Sequence, residues 1–135
     1  MSNFTLADEY VIDTVGLVLY LEKRKSGAKA EQICDSAENG QTVIHIPAMV
    51  MAEILYLSEK GRILIGLTDV FQLLKDFSNF KEFPMNCDIL QSAIQITDIP
   101  ELHDRLISAN AKFMSVELIT NDPKIDNSAF VKTIW

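Results

Sequence analysis

The residues from Glu9 to Leu21 limit what this chain can fold into more than any other stretch. Glu9-Tyr10-Val11-Ile12 is short and mostly apolar, and it stops at a carboxylate, Asp13, and a hydroxyl, Thr14. Val15-Gly16-Leu17-Val18-Leu19-Tyr20-Leu21 follows at once as an unbroken apolar run. A strand over about residues 10–13 that feeds straight into a buried helix is an opening unit of an α/β sheet. Ligands of such sheets bind beyond the carboxyl ends of the strands. Asp13 therefore stands where either a helix cap or a functional acid belongs.

The same alternation continues along the chain. The first helix is read from Thr14 to about Lys23, closed by the cations Lys23-Arg24-Lys25, which favour a helix C-terminus, and broken by Ser26-Gly27. Ala30, Ile33, Cys34 and Ala37 recur at helical spacing between Ala28 and Glu38, and Asn39-Gly40 has the form of a left-handed C-terminal cap. Thr42 to Ile46 is β-branched and short, hence a strand, and Pro47 suits the first turn of a helix that runs to about Lys60. Further helices are expected over Leu67 to Phe77, from Asn86 or Asp88 to about Ile96, and from about His103 to Met114. Phe80 to Phe83, Glu117 to Thr120 and Val131 to Trp135 read as strands, with Asn121-Asp122-Pro123 as a turn. This pattern predicts one α/β domain over residues 1–135, with a parallel sheet covered on both faces.

A chain of 135 residues, 48% hydrophobic and 23% charged, can bury a real core and is not a mainly disordered one. It contains no apolar run near the roughly 20 residues that span a bilayer. Met1-Ser2-Asn3-Phe4 has neither a basic nor an apolar leader segment, so the expected location is cytoplasmic. Cys34 and Cys87 are far apart in sequence and are expected as reduced thiols, without the ligand set of a zinc site. A net charge of -7 argues against broad electrostatic binding to a nucleic-acid backbone. It does not exclude a nuclease, because acids that hold a dication attract phosphate once the ion is bound.

Four carboxylates are conspicuous by position. Asp13 ends the first strand; alone it could be only a cap, although Thr14 beside it could take that duty and leave Asp13 free. Glu53 is the single ionisable side chain in the helix from Pro47 to Leu57, and a carboxylate inside an all-round apolar helix needs a partner or a cation. Asp104 begins a helix and Asp122 precedes Pro123, places where acids also serve as ordinary caps. In a parallel sheet all four can converge on one edge. Clustered carboxylates raise one another's pKa values unless cations neutralise them, and an all-oxygen site suits Mg²⁺ or Mn²⁺.

Other chemistries lack support. The chain has no glycine-rich phosphate loop, no HExxH spacing for His45 or His103, and no nucleophile elbow around its serines or cysteines. His45 reads as a satisfied core or edge residue, His103 as a first-turn residue, and Phe71, Phe77, Phe80 and Phe83 as core or as a stripe for a partner.

Taken in order, Tyr-Val-Ile-Asp-Thr with Asp13, Ile-Pro-Ala-Met-Val-Met-Ala-Glu-Ile with Glu53, His-Asp-Arg-Leu-Ile-Ser-Ala-Asn-Ala with Asp104 and Leu-Ile-Thr-Asn-Asp with Asp122 resemble a PIN-domain ribonuclease of the VapC toxin type. Lys124-Ile125 and the closing Val-Lys-Thr-Ile-Trp fit as well, so the likeness spans nearly the whole chain. The resemblance implies a three-layer α/β/α fold with a mostly parallel five-stranded sheet. It also implies an acidic metal site of Asp13, Glu53, Asp104 and Asp122, supported by Thr14, Thr120 and Asp126. The implied activity is Mg²⁺- or Mn²⁺-dependent cleavage of RNA by a homodimer held inactive by a small antitoxin protein. Val15 departs from the pattern, because the family commonly has Ser or Asn there, and this substitution favours the alternative of a weak or silent PIN-like protein-binding module. A phosphoacceptor receiver domain fits less well: no second acid follows Asp13, and Lys132 lies inside its expected strand.

Overall fold

A computed structural model describes residues 4–135; Met1, Ser2 and Asn3, on which the reading of the N-terminus rests, lie outside them. The strands are Glu9–Ile12 (β1), Val43–Pro47 (β2), Phe80–Phe83 (β3), Glu117–Ile119 (β4) and Thr133–Ile134 (β5). The helices are Thr14–Leu21 (α1), Ala28–Glu38 (α2), Ala48–Glu59 (α3), Leu67–Asp76 (α4), Cys87–Gln95 (α5), Leu102–Met114 (α6) and Pro123–Asp126 (α7). The five strands form one sheet in the order β3-β2-β1-β4-β5, and every pairing is parallel. Successive side chains of a strand point to opposite faces, yet Tyr10, Val11 and Ile12 are all fully buried. Helices must therefore cover both faces, which makes the expected three-layer α/β/α arrangement and explains why β1 reads as a run rather than an alternation.

The strand order also places the site. From β1 the chain builds outward through β2 and β3, then returns to the other side of β1 to add β4 and β5. The carboxyl ends of β1 and β4 thus flank the switch point where open α/β sheets bind their ligands. Asp13 is anchored there, its N–H donating to the Ile119 carbonyl at 3.1 Å.

Several boundaries differ from the sequence expectation. α1 stops at Leu21, and Lys23-Arg24-Lys25 lies beyond it. Lys23 adopts a left-handed φ of 57°, and the Arg24 N–H reaches back to the Leu19 carbonyl at 2.9 Å, a Schellman closure made here without glycine. Gly40, with φ 78°, closes α2 in the expected way. The turn at Asn121–Pro123 becomes a short helix, α7, because Asp122 caps it and Pro123 occupies its first position. The last strand contracts to two residues, since β4 offers only three. The helix expected to be apolar all round, α3, is not enclosed: only Val50 and Ile54 are buried, and Leu55 and Tyr56 face outward. Among the aromatic residues Phe80 is core, whereas Phe71 is 47% exposed. His45 is buried and satisfied, its Nε2 standing 2.7 Å from a Glu9 carboxylate oxygen. Cys34 and Cys87 are free thiols, and no helix among the described residues is long and apolar enough to cross a membrane.

The end of the chain is tied back to α2. The Trp135 carbonyl accepts the Ala30 N–H at 3.0 Å. Gly27, the residue before α2, lies so close that an added Cβ would stand 2.0 Å from the Trp135 carbonyl oxygen. We expect Gly27→Ala to cost about 1–3 kcal/mol through overpacking, read as a lower urea midpoint at unchanged slope. An unchanged midpoint would show that this backbone contact is not made in solution.

Candidate active site

Asp13 leaves β1 and caps α1 itself: its Oδ1 accepts the Gly16 N–H at 2.7 Å. The capping role assigned to Thr14 from sequence is thereby corrected. Thr14 Oγ1 instead donates to Glu53 Oε1, joining α1 to α3. Both residues are competent caps, but only Asp13 occupies the extended position from which a side chain reaches the first-turn N–H groups. The Thr120 hydroxyl also supports the Asp13 carboxylate.

Asp104 enters from the first turn of α6. The cap of that helix is Glu101, which accepts N–H groups of His103 and Asp104 at 2.9 and 3.1 Å. Sequence reading missed Glu101, because Glu is not a favoured cap residue and the helix was begun at His103. Asp122 follows β4 and caps α7, its Oδ1 accepting the Lys124 N–H at 2.9 Å, while its own N–H donates to Thr120 Oγ1 at 3.1 Å. Thr120 therefore braces two of the acids at once. His103 also joins the site, with Nδ1 3.6 Å from Glu53 Oε2.

Asp13, Glu53, Asp104 and Asp122 line one cleft of about 830 Å³, and Thr14 lines it with them. Apart from His103 and Asn121, its remaining wall is largely apolar and includes Val15, Met49, Tyr56 and Ile107. Asp126 is not part of that cleft. Its carboxylate accepts the Thr133 hydroxyl and faces a separate depression near Gly27 and Trp135.

The electrostatics are those of acids forced together. Burial pushes Asp13 up to about 6, with Asp122 and Asp104 adding repulsion against the Gly16 and Thr120 hydrogen bonds. Asp104 is also raised, first by burial and then by Asp122, Glu101 and Glu53, with Lys124 opposing. The Asp104 carboxylate accepts no hydrogen bond from any described residue. Among the described residues no three acid, imidazole or thiol side chains are already gathered to enclose an ion. The donor chemistry nonetheless fits a hard divalent cation: four carboxylates face one cleft, and their mutual repulsion is what a dication relieves.

A family model for the PIN domain matches residues 10–131. The chain belongs to the PIN-domain family. Its fold also appears among solved structures. A chain of the VapBC2 structure from Rickettsia felis, bound to a DNA fragment from their promoter, superposes on this PIN domain with a TM-score of 0.69 at 18% identity, covering 93% of this chain and 97% of that one. A chain of DNA-bound VapBC from Salmonella typhimurium gives 0.67 at 14% identity, covering 93% and 96%. A toxin-antitoxin complex from Klebsiella pneumoniae gives 0.63 at 16% identity, again covering 93% and 96%. At these identities the likeness shows the fold. No curated protein gives a significant sequence match.

Proposed function

We propose that this PIN domain, taken as one unit over residues 1–135, is a metal-dependent endoribonuclease and the toxin of a toxin–antitoxin pair. The observation that carries this reading is the convergence of Asp13, Glu53, Asp104 and Asp122 on one cleft at the switch point of the sheet. PIN domains are generally nucleases, and the structural neighbours include VapBC and toxin-antitoxin complexes, which supports an antitoxin partner here as well. A cytoplasmic homodimer is the form in which we expect it to act.

The four acids would hold Mg²⁺ or Mn²⁺, which when bound supplies an activated water and offsets charge on the phosphoryl oxygens. The protein's own contribution is orientation. Gly16 and Thr120 fix Asp13, and Thr14 fixes Glu53 from the neighbouring helix. Glu101 holds the helix start that presents Asp104. Asp126, through Thr133, ties α7 to the edge of the sheet and so supports Asp122 from behind.

Incubating the purified chain with RNA in Mn²⁺ or Mg²⁺ should produce internal cleavage that EDTA stops. Undiminished cleavage in excess EDTA would overturn the metal-dependent assignment. A silent binding module is the second reading, favoured by Val15, which stands 49% exposed at the cleft where a hydroxyl or amide would help position water. Saturable Mn²⁺ binding that is lost in Glu53→Gln and Asp122→Asn supports the enzyme; no saturable binding supports the silent module.

A further inference from the structure

Glu53 and Tyr56 are three residues apart on α3 and so share one face of the helix. Both line the acidic cleft. Tyr56 is 52% exposed and makes no ring–ring contact among the described residues. One turn further on, Lys60 Nζ stands 5.6 Å from the centre of the Tyr56 ring, so a cation covers one face of an otherwise open aromatic. α7, whose Pro123 and Ile125 also line the cleft, carries Lys124, whose charge acts on Asp104 and Glu101.

These placements matter because the protein is strongly acidic. With a net charge of -7 the surface as a whole repels a phosphate backbone, so local cations must receive it. Sites for single-stranded nucleic acid combine an aromatic ring, on which a base stacks, with cations that take the adjoining phosphates. Tyr56 with Lys60 has this make-up, and it stands on the same helix face as Glu53. We infer that Tyr56 is the stacking platform for an unpaired base beside the scissile phosphate, with Lys60 receiving a neighbouring phosphate and Lys124, near Asp104, drawing in the strand. The inference rests on the ribonuclease reading and deepens it. What it adds is the residues that receive the strand; the base must be unpaired, since one held in a duplex cannot present its face to the ring.

The test is steady-state cleavage of a single-stranded RNA oligonucleotide in Mn²⁺, with matched substrates that are abasic at each nucleotide flanking the cut. Tyr56→Ala should raise KM on the order of tenfold, with the larger share of the effect in KM rather than kcat, and Tyr56→Trp should restore it. One abasic position should cost the native protein a similar factor and cost Tyr56→Ala nothing more, the non-additivity of two changes to one contact. Because Tyr56 is half-exposed, its truncation leaves the core intact. If the native protein cleaves the RNA and Tyr56→Ala shows an unchanged KM, or if its penalty simply adds to the abasic one, the platform is overturned. That result would leave the ribonuclease reading standing and the ring to a protein partner. Failure of the native protein to cleave RNA at all would instead remove the ribonuclease reading, and the platform with it.

Discussion

Asp104→Asn is expected to reduce RNA cleavage by more than about a hundredfold, since loss of even outer-shell support at a metal site typically costs about 10- to 100-fold, with the fold unchanged. Asp104 is the acid with the least structural duty. Glu101 caps its helix, and no described residue donates a hydrogen bond to its carboxylate. Its charge is nevertheless kept close to that of Asp122 and Glu53, an arrangement that is unfavourable without a cation. Asparagine keeps the size of the side chain and removes the charge, so the loss falls on ion holding rather than packing. Far-ultraviolet circular dichroism together with kcat/KM separates the two. A variant that is folded and retains more than about a tenth of native kcat/KM, less than the weakest loss typical of such sites, would place the chemistry elsewhere. Asp13→Asn is expected to be equally inactive.

The parts of this molecule that rest on local chemistry were legible in the sequence. β1 and β2 announced themselves as buried strands, Gly40 as a left-handed cap and Pro47 as a helix entry. Asp13, Asp104 and Asp122 could be picked out because each stands where a strand or helix changes. What could not be read was which of two adjacent residues turns which way. Asp13 and Thr14 are both competent caps, and the choice is made by Glu53, 39 residues away, which engages the Thr14 hydroxyl. Glu53 itself was found by an argument that does not hold for α3, since Leu55 and Tyr56 are open to solvent. An apolar helix sequence does not say which faces lack a neighbour. Asp126, which the family resemblance implies as a supporting residue, stands outside the cleft and turns toward Thr133, an orientation that its place in the sequence does not disclose. Glu101 went unseen because the signal for a helix start lay in a residue type that rarely provides one.

Asp13→Asn should also make the metal-free protein more stable near neutral pH while destroying its activity. Asp13 is 6% exposed, and burial pushes its pKa from an ordinary 3.8 up to about 6. Between those two values the native state holds a proton that the unfolded chain has already released, so stability falls as pH rises through that window. Above it, the ionised buried carboxylate leaves the native state less stable by an amount on the order of 3 kcal/mol. Asparagine carries no charge and can still accept the Gly16 N–H as a cap, so it removes this cost without opening the helix start. In EDTA at pH 7 the variant should melt higher than the native protein, and the difference should close as the pH approaches 4. Adding Mn²⁺ should raise the native melting temperature and leave the variant nearly unchanged, since an ion that binds only the native state stabilises it by mass action. A variant that melts lower than the native protein in EDTA at pH 7 would mean that the Asp13 charge is already compensated within the protein. In that case the acids of the cleft would not be waiting for a cation, and the strain that motivates the metal site would be absent.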